Sequence, residues 1–147
     1  MADMAPLTEA ELIAFGDEWY HKLDIHAPMV ELLPMLADEE LEMQFPEATV
    51  YGHAGFEGWY QTVIRLFFNE VHKVTELNVK LSPEQADVQI VVNWQAYRWN
   101  PPAAKSEWIG FDAAQRLVFK RSPQTGKPMI TKYIVDSLTP MEGSPAL

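Results

Sequence analysis

The sequence predicts one α+β domain in which three N-terminal helices cover a curved, mixed and mostly antiparallel sheet around an apolar pocket. Apolar residues recur at helical spacing as far as about residue 69, and from His72 onward they alternate with polar residues. The length of 147 residues suits one domain with a core of its own. We therefore expect a single domain over 1–147, with its core at about 8–138 and a flexible C-terminal tail at 139–147.

Two helices are predicted near the start of the chain. Thr8 is followed three residues later by Glu11, which is the capping-box arrangement at a helix N-terminus. The first helix should span about 8–23, because apolar residues then recur on one face: Leu12, Phe15, Trp19 and Leu23. Asp24 is predicted to cap a short second helix that Pro34 bends or ends.

A short strand and a third helix follow. Leu41, Met43 and Phe45 alternate with polar residues before Pro46, a pattern typical of a strand that stops at proline. A glycine-rich connection comes next. The third helix should run to about Asn69, because a wide apolar stripe covers one of its faces: Phe56, Trp59, Tyr60, Val63, Ile64 and Phe67.

Four long strands complete the predicted fold. Turn signals separate segments at about 72–81, 87–99, 105–121 and 128–138. Strands of this length require bulges or a strong bend. One face of the sheet is apolar and needs the three helices as its cover, with these residues pointing inward: Val88, Ile90, Val92, Trp94, Ile109, Phe111, Leu117 and Phe119.

Composition excludes several classes of function. A formal net charge of −10 opposes binding to phosphate backbones and to anionic membranes. No apolar run approaches the length of a membrane span, and the N-terminus lacks the pattern of a signal peptide. The absence of cysteine excludes thiol catalysis and thiolate metal sites. We therefore expect a cytoplasmic protein with neither nucleic-acid nor membrane partners.

Charge is distributed unevenly along the chain. The first fifty residues contain twelve acidic residues and one basic residue, Lys22, whereas the segment 98–132 contains seven basic residues and only Glu107 and Asp112 as acids. The acidic helices and basic strands either form two solvated faces or pair two subunits through complementary patches.

Short motifs support a family resemblance over roughly residues 8–138. They are Leu36-Ala37-Asp38 before a strand that ends at Phe45-Pro46, Gly52, the segment Phe56-Glu57-Gly58-Trp59-Tyr60, Trp94, Gly126 and the segment Tyr133-Ile134-Val135-Asp136. With the order of elements, they resemble the nuclear transport factor 2-like superfamily, including its SnoaL-like and ketosteroid isomerase-like members. The resemblance implies a cone-shaped, cystatin-like fold that binds small apolar or cyclic molecules, and it leaves the activity open.

The same resemblance bears on an isomerase mechanism. Tyr20 fits the hydrogen-bond donor that isomerase-like members place on the first helix. Where those members place a carboxylate base, this chain has Gln44 and Phe45, neither of which can abstract a proton. Their second acid corresponds here to Gln115, which can donate a hydrogen bond but cannot ionise.

Two other residues are candidates for acid–base chemistry. Asp136 lies in a segment similar to one that carries a catalytic aspartate in SnoaL-like cyclases, and alternation groups it with Ile130 and Ile134. We therefore expect a partly desolvated carboxyl group with a raised pKa, or else an exposed strand face shared with Lys132. His53 precedes the third helix near the expected rim of the cone, where it either acts on a ligand or caps the helix and faces solvent.

Aromatic residues predict both a pocket and an interface. The predicted pocket consists of Trp19, Tyr20, Phe45, Tyr60, Trp94, Phe111 and Gln115. Tyr97 and Trp99 fall on the opposite face of the sheet and favour a homodimer that packs through it. Asp24-x-His26 lacks a third ligand, so we predict no metal, and nothing indicates a cofactor.

These observations favour a small-molecule-binding protein. It is either a cofactor-independent isomerase, lyase or cyclase that uses Asp136, His53 and Tyr20 on a small cyclic or aromatic compound, or a non-catalytic ligand-binding or assembly module of the same fold.

Overall fold

The computed structural model describes residues 4–147 and contains three helices and six strands within that range. The helices are α1 (Glu9–Asp24), α2 (Met29–Leu32, continued by a 3-10 turn at Leu33–Met35) and α3 (Gly52–Leu66). The strands are β1 (Glu42–Gln44), β2 (Thr49–Tyr51), β3 (Phe67–Leu81), β4 (Ala86–Arg98), β5 (Glu107–Arg121) and β6 (Pro128–Pro140).

The strands form one sheet in the order β2-β1-β6-β5-β4-β3. β1 pairs with β6 in parallel, and the other neighbouring strands pair antiparallel. The predicted α+β class with a curved, mostly antiparallel sheet is confirmed. The strand β2 was not foreseen, and β3 begins at Phe67 instead of about residue 72, because α3 passes directly into the strand after Leu66.

Helix α1 begins with the predicted capping box. The Thr8 hydroxyl accepts a hydrogen bond from the Glu11 backbone N–H at 3.2 Å, and the Glu11 carboxylate accepts one from the Thr8 N–H at 3.2 Å. These bonds satisfy N–H groups that have no partner inside a helix. The helix then buries one face against the sheet through Leu12, Phe15, Trp19, Tyr20 and Leu23.

Asp24 does not cap the second helix as predicted. It is the last residue of α1, and the N-cap of α2 is Pro28, which makes no side-chain capping bond. The Asp24 carboxylate instead reaches β3, where it accepts hydrogen bonds from His72. A short polar residue between two helices therefore serves a tertiary contact here.

Two β-bulges determine which residues of β6 face inward. Phe119 pairs with Ile130 and Val118 with Lys132, so Thr131 is an extra residue, and Asp136 is likewise extra between Val135 and Ser137. Each extra residue exchanges the inward and outward faces of the strand. The inner face therefore passes from Ile130 to Tyr133 and Val135, then to Leu138.

The segment after β6 lies against the ends of two neighbouring strands. The strand extends to Pro140, so the tail begins later than predicted. The Met141 N–H donates to the Gly110 carbonyl at 2.9 Å, and the Arg98 guanidinium donates to the carbonyl oxygens of Ala146 and Leu147 at 2.9 and 3.1 Å. The flexibility of this segment stays a prediction, but its contacts bring Leu147 to the inner side of the sheet.

The acidic helices and basic strands attract one another within the subunit. Arg121 of β5 forms two hydrogen bonds with the Glu11 carboxylate, at 2.8 and 2.9 Å, and Lys120 pairs with Glu40 at 3.0 Å. The Arg121 guanidinium also donates to the carbonyl oxygens of Ala5, Pro6 and Gly126. Arg121 therefore joins the start of α1 to the β5–β6 turn.

We expect Glu11→Gln to destabilise the protein more at neutral pH than in acid. Hydrogen bonds from Arg121 lower the pKa of Glu11 from 4.5 to about 2. A carboxyl group with a lowered folded-state pKa stabilises the protein above its unfolded pKa, and the contribution disappears as pH falls towards the folded pKa. Because a third of the side chain is exposed, solvent reduces the effect to about 1 to 2 kcal/mol at pH 7.

Urea unfolding of both proteins at pH 7, 4 and 3 measures this difference. The gap between wild type and Glu11→Gln should shrink as pH falls from about 4.5 towards 2. Glu18→Gln is the control, because Glu18 forms an exposed pair with Lys22 and should cost less than about 0.5 kcal/mol. A gap that does not change with pH would contradict the role of the Glu11 charge.

The outer face of the sheet exposes three aromatic rings at one end. Phe68, Tyr97 and Trp99 are exposed, and the rings of Phe68 and Tyr97 stack with centroids 6.1 Å apart.

No helix in the described range 4–147 is long and apolar enough to cross a membrane.

Candidate functional site

A cavity opens between α3, the end of α1 and the inner face of the sheet. The cavity volume is about 110 Å³, which leaves room for a small ring compound. Most of its lining is apolar and comes from residues such as Leu23, Phe45, Trp59, Val63, Phe67, Val92, Trp94 and Leu138. The lining also includes a few polar side chains, among them Glu47, Glu70, His72 and Gln115.

His72 forms a carboxylate–imidazole pair with Asp24 at the wall of this cavity. Its Nδ1 lies 2.6 Å from Asp24 Oδ1, and its backbone N–H donates to Asp24 Oδ2 at 3.2 Å. Since a carboxylate accepts hydrogen bonds, Nδ1 is the donor in this contact. The neutral ring then keeps its lone pair on Nε2, which has no hydrogen-bond partner among residues 4–147.

Two aromatic rings stack on the imidazole, that of Tyr20 from α1 and that of Trp94 from β4. The His72 ring lies nearly parallel to that of Tyr20, with centroids 5.4 Å apart and planes inclined by 25°. It lies similarly to the indole of Trp94, at 6.1 Å and 20°. The ring orientation is therefore set by Asp24, Tyr20 and Trp94 together, and this is the arrangement that a positioned general base requires.

A second carboxylate–imidazole pair stands beside the first. Glu70 Oε2 contacts His26 Nε2, and Glu70 Oε1 accepts a hydrogen bond from the Trp94 indole N–H at 3.0 Å. The Glu70 side chain is 4% exposed and lines the cavity. Glu70 and His72 alternate along β3 on one face, while Asp24 and His26 both come from the end of α1.

Tyr133 lines the cavity, and its hydroxyl pairs with that of Tyr20, which is buried behind the lining. Their oxygens are 3.1 Å apart, and the Gln115 amide lies beside both. Burial raises the pKa of Tyr20 well above its usual value, and the neighbouring Tyr133 raises it further. Burial raises the pKa of Tyr133 to about 12. Both hydroxyls are therefore protonated near neutral pH and act as hydrogen-bonding groups.

The predicted pocket residues divide into two groups. Phe45, Tyr60, Trp94 and Gln115 line the cavity. The other three are buried behind that lining: Trp19 and Tyr20 face the sheet from α1, and Phe111 packs behind Trp94 at a centroid distance of 5.9 Å. The first group faces the space that a ligand would occupy, whereas the second supports it.

Asp136 follows the second of its two predicted alternatives, an exposed strand face shared with Lys132. The extra residue Thr131 shifts the alternation of β6 by one, so the Asp136 side chain lies on the outer face of the sheet, where 40% of it is exposed. Arg116 donates three hydrogen bonds to its carboxylate at 2.9 to 3.1 Å. These bonds lower the pKa of Asp136, which contradicts the first alternative, a desolvated carboxyl group with a raised pKa, and the carboxylate is not among the cavity lining.

His53 lies in the first turn of α3 and does not line the cavity. Its Nε2 donates to the Leu36 carbonyl at 3.0 Å, and its backbone N–H donates to the Asp38 carboxylate at 2.9 Å. Asp38 thus satisfies an N–H group at the start of α3, and the His53 ring links the helix to the preceding segment. The contacts around His53 are those of a helix terminus.

Four polar residues of the site were missed or dismissed in the sequence: Asp24, His26, Glu70 and His72. The signal was a repeated pattern, since Asp24-x-His26 and Glu70-x-His72 each place a carboxylate two residues before a histidine. Neither pattern alone predicts that the two segments face each other. Within residues 4–147, no group of three His, Cys, Asp or Glu side chains is arranged to hold a metal ion.

Comparisons of the sequence with models of known families and with curated protein sequences find no match. Solved structures do match. A Novosphingobium aromaticivorans protein named as an aromatic ring hydroxylase superposes with a TM-score of 0.76 and 14% identity, over 90% of this chain and 92% of that one. A protein of the same organism named as a scytalone dehydratase gives 0.73 and 13%, over 90% and 83%.

The hexachlorocyclohexane dehydrochlorinase LinA-type3 of Novosphingobium barchaimii gives a TM-score of 0.72 at 15% identity, over 94% of this chain and 92% of that one. Proteins described as nuclear transport factor 2-like are also among the matches. The chain therefore has the fold of the nuclear transport factor 2-like superfamily, which confirms the predicted resemblance.

Proposed function

We propose that the protein is a cofactor-independent lyase that removes a proton from a carbon atom of a small cyclic compound. The observation that carries this proposal is the His72–Asp24 pair, which lies at the wall of an apolar cavity with Nε2 unoccupied by any described residue. His72 acts as the general base, and Asp24 is the positioning residue that keeps the proton on Nδ1.

The proposed step is an elimination. His72 Nε2 takes the proton from a ring carbon, and the electrons of that C–H bond form a carbon–carbon double bond. The leaving group on the neighbouring carbon departs with the electrons of its own bond, as chloride or as hydroxide. For a hydroxyl leaving group, the imidazolium returns the proton, so that water is released.

The names of two structural neighbours support an elimination. A dehydratase and a dehydrochlorinase both remove a small molecule across two carbon atoms, and proteins with these names share the fold. The isomerase and cyclase alternatives also begin with removal of a proton from carbon. The pair at His72 can serve all three reactions, and the apolar lining favours a ligand that is mostly hydrocarbon.

The first experiment measures turnover of a defined panel. Wild-type protein is incubated in D2O with cyclohexanone, β-hydroxy cyclic ketones and chlorinated cyclohexanes, and the products are followed by NMR and mass spectrometry. We expect deuterium exchange next to a carbonyl group, or elimination, at a rate above that in buffer. A protein that binds the compounds but catalyses neither reaction would instead be the non-catalytic module of the same fold.

The proposed ligand is a small apolar or cyclic molecule, and the homodimer through the sheet stays a prediction. The exposed rings of Phe68, Tyr97 and Trp99 support it, because aromatic side chains are enriched at subunit interfaces. These rings lie on the outer face, away from the cavity, so a dimer of this kind would leave the cavity accessible.

A further inference from the structure

We propose that Glu70 recognises a hydrogen-bond donor on the bound compound. The cavity would then prefer a ring that carries a hydroxyl or amino group over one that is fully apolar or anionic. The inference deepens the proposed function, because it names the ligand class of the same cavity. It assigns to Glu70 a role in binding that is separate from the proton abstraction at His72.

Glu70 is unusual because its carboxylate is buried. Glu70 is the one carboxylate among the buried residues of the described range, and its side chain is 4% exposed. A buried carboxylate is costly unless it is well hydrogen-bonded. A cavity that only had to hold a hydrocarbon would be more stable with an apolar residue at this place.

The Glu70 carboxylate can accept more hydrogen bonds than the protein supplies. Among residues 4–147, His26 contacts Oε2 and the Trp94 indole N–H donates to Oε1. A carboxylate has about four acceptor sites. The two protein contacts therefore hold the group in place and leave acceptor sites for a donor that enters the cavity.

The backbone around the Glu70–His26 pair is left-handed at two residues. His26 has a φ of 52° and Asn69, which precedes Glu70, has a φ of 50°. Left-handed backbone is uncommon for residues other than glycine, and it is retained where surrounding contacts over-determine it. Asn69 and Glu70 also fall within the irregular pairing between Phe68 and Val71, and Glu70 lies on the inner side of the strand.

The position of Glu70 relative to His72 defines the geometry of the ligand. Alternate residues of a strand are roughly 7 Å apart on the same face. This separation matches a six-membered ring whose polar substituent lies on one side and whose reacting carbon lies on the other. A hydroxyl or amino group at Glu70 would thus direct the opposite edge of the ring towards His72 Nε2.

Negative charge around the cavity argues against an anionic ligand. Glu47 also lines the cavity, and the chain carries a formal net charge of −10. A ligand carboxylate next to Glu70 would bring two like charges together in a site of low polarity, which is unfavourable.

Three monosubstituted rings of similar size test the inference: phenol, fluorobenzene and benzoate. Their dissociation constants for the wild-type protein are measured by NMR titration. We expect phenol to bind about tenfold more tightly than fluorobenzene, which is the effect of one charge-assisted hydrogen bond, and benzoate to bind most weakly. Equal affinities for phenol and fluorobenzene, or no binding of any of the three, would overturn the inference without a mutation.

Glu70→Gln identifies the group responsible. The variant should reduce the preference for phenol to within about threefold, because a neutral acceptor forms a weaker bond than a carboxylate. Glu76→Gln is the matched control, since Glu76 is an exposed carboxylate of the same strand that does not line the cavity, so its replacement should leave the preference for phenol unchanged. An unchanged preference in Glu70→Gln would assign the donor contact to Gln115 or Tyr133 and overturn the proposal.

Phenol binding and turnover are measured separately, so the donor site at Glu70 and the lyase reaction at His72 can fail independently. Binding of phenol that depends on Glu70, without turnover of any panel compound, would support the donor site and contradict the lyase. Turnover that depends on His72, with no preference between phenol and fluorobenzene, would do the reverse.

Discussion

His72→Gln should lower kcat for a panel substrate by about 10²- to 10⁴-fold, the usual contribution of a positioned general base. Glutamine keeps a polar side chain of similar length but cannot take a proton from carbon. The fold should remain intact, since His72 is a partly exposed residue at the cavity wall and glutamine keeps the backbone N–H that donates to Asp24. Steady-state kinetics measure the change, and circular dichroism checks the fold.

Asp24→Asn tests the positioning role with little change of shape. The asparagine amide can donate to Nδ1, which would leave the ring proton on Nε2 and remove the lone pair of the proposed base. We expect kcat to fall by at least about 10²-fold while KM changes by less than about threefold. A purely structural role for Asp24 would instead change stability and both kinetic constants together.

His21→Gln is the matched control for both variants. His21 lies on the exposed side of α1 and is not part of the cavity lining, so its replacement should leave kcat unchanged. Retention of full turnover in His72→Gln would rule out the proposed base.

Phe56→Ala should destabilise the protein by about 3 to 5 kcal/mol, the range for loss of a buried aromatic side chain. Phe56 is completely buried in α3. Its ring lies 5.9 Å from that of Trp19, 6.0 Å from Trp59 and 5.5 Å from Tyr60. The substitution therefore leaves a void between α1 and α3 that these rigid rings cannot fill, and the loss is a large part of the stability of an ordinary domain.

Urea unfolding followed by tryptophan fluorescence measures the loss of stability. Phe68→Ala is the matched control, because Phe68 is the same residue type on the exposed outer face of the sheet. It should cost less than about 1 kcal/mol in the monomer. Similar losses for the two variants would contradict the view that packing between the helices is the main source of stability around the cavity.

The parts of the fold that were predicted correctly depend on local patterns. The Thr8–Glu11 capping box and the apolar stripe of α1 are written within a few residues, and β4 follows strict alternation from Val88 to Trp94. Such patterns determine helix and strand identity without knowledge of distant contacts. The curved sheet and its helical cover follow from them, because one face of the sheet has to be buried.

The candidate site depends on contacts that no local pattern contains. His72 is 48 residues from Asp24, and Glu70 is 44 residues from His26, so their pairing becomes visible only when α1 lies across β3. Asp136 illustrates a different limit. Alternation placed it inside, but the extra residues of two β-bulges change the face of β6 twice, and nothing in the side-chain sequence marks their positions.

Both imidazole–carboxylate pairs join β3 to the end of α1 or to the two residues after it, so both depend on the position of this helix. If α1 swings away from the sheet while β3 to β6 stay paired, His72 loses Asp24 and Glu70 loses His26 in the same movement. Such partial opening costs less free energy than complete unfolding. Heat or mild denaturant should therefore abolish turnover before the sheet unfolds. The packing of α1 against the sheet thus decides whether the cavity can carry out the proposed reaction.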